Sequence, residues 1–403
     1  MKQLMFEEDA QFWFETLRLF GHASYGGSDF GEVLAAASTV KPGDYDSWHD
    51  AYRGLADRLY AEAADAGPVT ARDLLLRAST YYFSSEFFLH GDPADPRVAA
   101  AYDRSVECFR RAAVAEPVEI PYEGTVLRGY FYRAPGAGPK PVLLMHNGFD
   151  GSAEECHFMG AAGGAERGYH VLTFDGPGQP SAIRHENLVF RPDWEHVVTP
   201  VVDFALGLDG VDPDRVALLG ISLGGMLAPR AAAFESRLAA VVAVDGVYDA
   251  GAAVVGFLPW DRAEIVRRAG AEHDEEFDAM LTAGRQASST LRWACDHGRY
   301  VLGAATDREF VAKYLEYTLE GGIAERITCP ALVCEAADDL FFGGEQETEP
   351  RRLYAHLNAP KTLLTFTAEE GADAHCHVGA QRLATGRVYD WLDRTLETVR
   401  PNG

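Results

Sequence analysis

At 403 residues, with 47% hydrophobic and 24% charged residues, the chain has the makeup of a water-soluble globular protein of more than one structural unit. A formal net charge of -25 repels phosphate backbones at long range and argues against a nucleic-acid partner. No apolar run reaches the ~18 residues of a membrane span, and the acidic opening MKQLMFEEDAQFWF lacks the basic-then-apolar order of a secretory signal, so no membrane association and a cytoplasmic location are expected.

The first stretch, to about Ala115, reads as helical. Thr70 with Asp73 resembles a capping box opening a helix through Leu74, Leu75 and Leu76. Asp95-Pro96 starts another, in which Val98, Tyr102, Val106 and Phe109 recur on one face. An amphipathic pattern of this kind must pack on something, and it makes a homodimer an expectation. Between the two lie Tyr81, Tyr82, Phe87 and Phe88 around Glu86, a cluster read as core packing with pocket lining as the alternative.

From Pro117 the character changes. VEIPYEG and TVLRGYFYRA flank Glu123-Gly124, a hairpin turn. PVLLMHNG, HVLTFDGPG, RVALLGIS, LAAVVAVDG, PALVCEAADD and KTLLTFTAEE then follow, each leading into helix-like sequence. Apolar strands alternating with helices predict an α/β fold with a mostly parallel sheet covered on both faces. The rhythm breaks between about Tyr248 and Arg326, where no buried strand is evident and a helical insertion between strands 6 and 7 is expected. The expected layout is a helical domain at 1–115, a catalytic domain at 116–249 and 327–403, and a helical lid at 250–326.

The segment DRVALLGISLGGMLAPRAAA carries the chemistry. An apolar strand runs into Gly220-Ile221-Ser222-Leu223-Gly224 and a helical pattern follows, the strand–turn–helix setting of a G-x-S-x-G nucleophile elbow. The serine occupies a strained conformation at the turn, and side chains two residues to either side would collide with neighbouring backbone. G-x-S-x-G alone is a weak signal, and its bland reading is a glycine-rich turn. Here its partners appear in the order the elbow requires, acid after the seventh strand and histidine after the eighth.

PALVCEAADDLFF supplies Asp338 and Asp339. Asp338 is favoured as the acid by its distance beyond the strand, since Asp339 would begin the next turn. AEEGADAHCHVGA offers His375 and His377, with His375 favoured as the base because loop sequence precedes it and a helix at Gln381–Leu396 follows. His377 reads as a helix-start residue or as one that supports the site from behind. The oxyanion donors would be the amides of Leu223 and of Phe149 in His146-Asn147-Gly148-Phe149-Asp150-Gly151, with Gly148 allowing close approach. His146 reads as loop-orienting, and Asp245 as a loop cap with an alternative role as acid. His146, Asp150, Asp245, Tyr81, Tyr82 and Glu86 are the candidate substrate contacts.

DGPGQ after HVLTF lacks a Walker lysine and reads as a structural loop beside the site. Cys108, Cys156, Cys295, Cys329, Cys334 and Cys376 form no CxxC pair, and His157, His185 and His196 have no metal-type spacing. No metal or cofactor is called for.

With these motifs on the page, the chain resembles the subgroup of α/β-hydrolases with an N-terminal helical domain, the group of dihydroxypseudooxynicotine hydrolase and the fermentation/respiration-switch-like esterases. The resemblance spans nearly the whole chain and rests on FGEVLAAAS, KPGDYDSWHDAYRGLADR, LLLRASTYYFSSEFFLHGDPADPR, VEIPYEGTVLRGYFYRAP, NGFDGSAEE, FDGPGQ, GISLGGMLAPRAAAFE and AHCH. It implies the triad Ser222, Asp338 and His375, and a substrate cleft between the catalytic and helical regions. Pro180, where glycine is expected, and His377 depart from the pattern. The expected activity is hydrolysis at a carbonyl of a small organic substrate, at a C–C or an ester bond. The same site could instead serve acyl transfer, cyclisation or elimination in a natural-product pathway, or the fold could merely bind a small molecule.

Overall fold

The computed structural model describes residues 3–343 and 347–398. One eight-stranded sheet organises the catalytic part. Its strands are β1 Glu116–Tyr122, β2 Thr125–Tyr132, β3 Lys140–His146, β4 His170–Phe174, β5 Val211–Ile221, β6 Ala240–Val244, β7 Ala331–Ala336 and β8 Lys361–Phe366. They lie in the order β1-β2-β4-β3-β5-β6-β7-β8. β2 runs antiparallel to both neighbours and every other pairing is parallel. Glu123 and Gly124 join β1 to β2 with φ of 42° and 86°, the left-handed pair that matches a two-residue hairpin turn to strand twist.

The central strands are buried on both faces, which is why they read as unbroken apolar runs: Val142, Leu143, Leu144, Val216, Ala217 and Leu218 are all fully buried. Parallel strands need crossovers, and helices supply them on the way from β3 to β8. The insertion between β6 and β7 is helical, as expected from its lack of strand pattern.

The chain divides into two compact units. Of the described residues, one comprises 116–267 with those from 311 onward, the other those up to 115 with 268–310. The segment at 250–326 is therefore shared: its middle packs with the N-terminal helices, and its two ends stay with the sheet. Within the helical unit Trp293 stacks on Phe87 at 5.3 Å, His297 Nδ1 lies 2.7 Å from His90 Nδ1, and Tyr45 donates to the Ser289 carbonyl at 3.2 Å. Phe12, Tyr45, Trp48 and Phe88 form its aromatic core, with Phe88 stacked on both Phe12 and Tyr45 at 4.7 Å.

Helix Pro96–Ala112 begins at the expected Asp95 cap, which accepts from the Arg97 amide, and buries Val98, Tyr102 and Phe109. The expected cap at Thr70 is displaced. The helix starts at Pro68 behind Gly67, because proline at the first position already has helical φ and no amide to satisfy. Among the described residues no helix is long and apolar enough to cross a membrane.

Candidate active site

The chemistry-bearing side chains of the sheet unit converge at the C-terminal ends of β5, β6, β7 and β8, the edge where open parallel sheets present loops to ligands. Ser222 follows β5 with φ of 60°, and its amide donates to the Val244 carbonyl at 2.9 Å. That bond ties the turn to β6, and helix Gly224–Ala232 leaves directly behind it. A non-glycine residue held at positive φ is costly and persists only where its surroundings over-determine it. Gly220 meets this demand: a Cβ there would run into the Gly224 carbonyl.

His375 stands in the turn after β8, with its side chain 4% exposed. Its Nε2 lies 2.8 Å from Ser222 Oγ and its Nδ1 2.9 Å from Asp339 Oδ2. Nucleophile, base and carboxylate are thus in mutual hydrogen-bond reach. The carboxylate is Asp339 and not the expected Asp338. Asp338 is exposed, and its amide donates to the Asp373 carbonyl at 2.8 Å, which places it on the outer side of the loop. Asp339 turns inward because its Oδ1 accepts the amides of Phe341 at 2.7 Å and Phe342 at 3.0 Å, leaving Oδ2 for the imidazole.

A second carboxylate reaches the same nitrogen. Asp245, at the end of β6, is fully buried, and its Oδ2 is 2.9 Å from His375 Nδ1. The same oxygen accepts the Cys376 amide, and Oδ1 faces His377 Nε2 at 3.7 Å. Burial alone would push the Asp245 carboxyl up, but the imidazoles at 375 and 377 outweigh it and hold it below the ordinary carboxylate value. Burial likewise disfavours a charged His375, yet the negative groups around it, Asp339 foremost and Asp245 among them, raise its pKa well above the usual 6.5. His377 is lowered by its burial, and its Nδ1 lies 3.1 Å from the Ala372 carbonyl.

The loop after β3 lies against the elbow. A Cβ on Gly148 would stand 2.5 Å from the Ile221 carbonyl oxygen, 2.7 Å from the Leu223 nitrogen and 2.8 Å from Ser222 Cβ. Buried polar contacts hold the loop there. Asn147 Oδ1 accepts the Gly148 amide at 2.9 Å while its Nδ2 donates to Glu155 at 2.9 Å. Gln179, from the DGPGQ run, donates to the carbonyls of Asn147 at 2.5 Å and Gly148 at 3.1 Å. Asp175 of the same run accepts the amides of Ala153 and Ser181. Pro180 fits this loop as the first residue of helix Pro180–Glu186.

The remaining sequence candidates separate. His146 is fully buried between Phe174 and Trp194, its Nδ1 is 2.8 Å from the Asn147 carbonyl oxygen, and burial lowers its pKa to about 4, disfavouring the charged form. Asp150 is half-buried in the loop beyond Phe149. Tyr81, Tyr82 and Glu86 are engaged inside the helical unit: Tyr81 donates to Glu32 at 3.0 Å, Tyr82 donates to Asp57 at 2.6 Å, and Glu86 meets His90 Nε2.

The sequence reading missed an aromatic surround that carries no motif. Phe341 and Phe342 lie 4.9 and 5.6 Å from the His375 ring, and Phe149 contacts Tyr314 at 5.5 Å and Phe190 at 6.2 Å. Asp245, His375 and Cys376 also bring metal-type ligand atoms within 4.8 Å of one another. The imidazole nitrogens there already face Ser222 and the carboxylates, and burial pushes the Cys376 thiol up to about 12, so the group offers poor ligands.

A model of the alpha/beta hydrolase family matches residues 134–384. The chain is 36% identical over 417 residues to Hydrolase LUC6 of Fusarium sp, covering 96% of each protein. It is 34% identical over 424 residues to 20-hydroxy-prefusarin hydrolase FUS2 of Gibberella moniliformis, covering 96% of this chain and 97% of that one. The crystal structure of 2,6-dihydroxy-pseudo-oxynicotine hydrolase shares its fold, with a TM-score of 0.69 at 23% identity over 94% of this chain and 95% of that chain.

Proposed function

The chain belongs to the alpha/beta hydrolase family and is an enzyme of the hydrolase class, and from that premise we propose that it is a serine hydrolase cleaving a C–C or ester bond beside a carbonyl of a small organic substrate. One observation carries the reading. Ser222 Oγ, at a positive-φ elbow, lies 2.8 Å from an imidazole whose other nitrogen is held by a buried carboxylate.

In the proposed cycle His375 takes the Ser222 proton through Nε2 as Oγ adds to the carbonyl carbon. The Nδ1–H stays with Asp339, which stabilises the imidazolium without itself taking the proton. The developing oxyanion lies at the amides of Leu223 and Phe149, at the start of a helix and on the loop against it. His375 then protonates the departing carbon or oxygen, and a water activated by the same imidazole releases the acyl group. The carboxylates beside His375 favour its charged form, the form that donates the proton to the leaving group.

The aromatic side chains around His375 and Phe149 support an apolar or aromatic substrate. The relative named 20-hydroxy-prefusarin hydrolase supports a small organic molecule over a polymer.

A fluorophosphonate probe tests the reading directly. It should label Ser222, located by peptide mass spectrometry, and Ser222→Ala should lose both labelling and turnover of p-nitrophenyl acetate by about 10⁴- to 10⁶-fold. Full turnover by a folded Ser222→Ala protein would refute it. Incorporation of oxygen from labelled water into the product would separate hydrolysis from cyclisation.

A further inference from the structure

Two carboxylates crowd one imidazole nitrogen here, where a triad needs only one: Asp339 is hydrogen-bonded to it and Asp245 stands at ion-pair distance. Asp339 Oδ2 and Asp245 Oδ2 each stand 2.9 Å from His375 Nδ1. They come from different strands, Asp339 from the half-exposed loop after β7 and Asp245 from the buried end of β6. We propose that Asp245 is a second positioning carboxylate for the base, sharing the His375 Nδ1–H with Asp339, so that either one keeps the imidazole in the tautomer that faces Ser222. The inference rests on the serine-hydrolase reading of the site.

A role as a plain loop cap does not account for the arrangement. A cap needs an oxygen on a backbone amide, and Asp245 has that in the Cys376 N–H. The cap does not require the same oxygen to lie on Nδ1 as well. Nor does it require a full charge to be buried, which is unfavourable without a partner of opposite sign.

The backbone supplies an independent sign. Asp245, Cys376 and His377 all hold left-handed φ, at 56°, 54° and 55°. The two strained residues Asp245 and Cys376 meet at the amide contact that sets Asp245 Oδ2 beside the residue next to the base, and strain of this kind persists where the surroundings over-determine it. Asp339 has a different anchorage, since the amides of Phe341 and Phe342 hold its other oxygen. The two acids are therefore placed by separate elements.

The groups facing His375 are Asp339 from the loop after β7, Asp245 from β6, Cys376 and His377 from its own turn, Ser222 from the elbow, and Tyr314, whose hydroxyl senses its charge. Two of them are carboxylates. Removal of either carboxylate lowers the pKa of the base, and removal of both leaves Nδ1 without an acceptor.

The test is the pH dependence of kcat/KM for p-nitrophenyl acetate in Asp245→Asn, Asp339→Asn and the double variant, with Ser222→Ala as the zero. Asp339→Asn should retain at least about 1% of wild-type kcat, against the about 10⁴-fold loss of a triad deprived of its lone acid. Asp245→Asn should move the ascending limb to lower pH, and the double variant should fall by about 10⁴-fold. An Asp339→Asn protein as inactive as Ser222→Ala, or an unmoved limb in Asp245→Asn, would overturn the proposal. If Asp245→Asn does not fold, the downfield proton resonance of the His375 Nδ1–H in Asp339→Asn decides: its persistence supports a second acceptor, and its loss excludes one. Turnover by Ser222→Ala would instead defeat the underlying serine reading.

Discussion

Gly148→Ala is the sharpest probe of how the loop after β3 and the elbow fit together. The added methyl carbon would stand 2.5 Å from the Ile221 oxygen, 2.7 Å from the Leu223 nitrogen and 2.8 Å from Ser222 Cβ. Unstrained contacts between such atoms need roughly 3.5 Å, so loop and elbow must separate by roughly 0.5–1 Å. Neither side yields easily: Gln179 and Asn147 clamp the loop, and the Ser222 amide is bonded to β6. In the proposed mechanism that separation displaces the Phe149 amide from the oxyanion formed at Ser222. A misplacement of about 1 Å, or loss of one oxyanion donor, costs about 10²-fold in kcat, which is about 2.7 kcal/mol of transition-state stabilisation. Stopped-flow measurement of the acylation burst with p-nitrophenyl acetate reads that loss, and thermal unfolding reads the about 1–3 kcal/mol of overpacking. Gly54→Ala is the control. Nothing lies within 4 Å of its added carbon on an exposed helix face, so it should leave kcat unchanged and stabilise by about 0.5–1 kcal/mol. A folded Gly148→Ala protein with kcat within about twofold of wild type would refute the close approach of the two segments.

Asp338→Asn should leave kcat within about twofold of wild type, because that carboxylate lies on the exposed side of its loop; a loss of about 10³-fold or more would return the acid's role to it. Because the base must be neutral to accept the serine proton and its pKa is raised, kcat/KM should rise with pH through a midpoint above 6.5; an ascending midpoint at or below 6.5 would contradict the two-carboxylate environment. Trp194→Ala removes a fully buried indole packed on Gly176 and His146, and urea unfolding should register a loss of about 3–5 kcal/mol; a loss below 1 kcal/mol would mean the site collapses around the gap.

The sheet was legible because its strands are buried on both faces, so Val142–Met145 and Val216–Leu219 read as apolar blocks whatever surrounds them. The elbow was legible for a similar reason, since glycines at 220 and 224 answer a local steric demand. Which of Asp338 and Asp339 meets His375 is not legible in the sequence, because the two differ only in which way a short loop turns. That choice is made by two amides, at Phe341 and Phe342, that sequence spacing does not reveal. Asp245 was weighed as an acid and set aside as a cap, and it makes a cap contact while also lying on the base. The partition of the insertion was hidden because it depends on stacking between residues as distant as Phe87 and Trp293. The aromatic surround of His375 had no signature, because aromatic residues also fill the core of the helical unit.

The distance along the chain between Ser222 and His375, 153 positions, bears on how the protein is made. A ribosome that has finished the elbow must still supply β7, β8 and the turn beyond them before any base exists. Until then the hydroxyl is as inert as that of any surface serine. On the proposed mechanism, then, reactivity at Ser222 begins only once the sheet is complete.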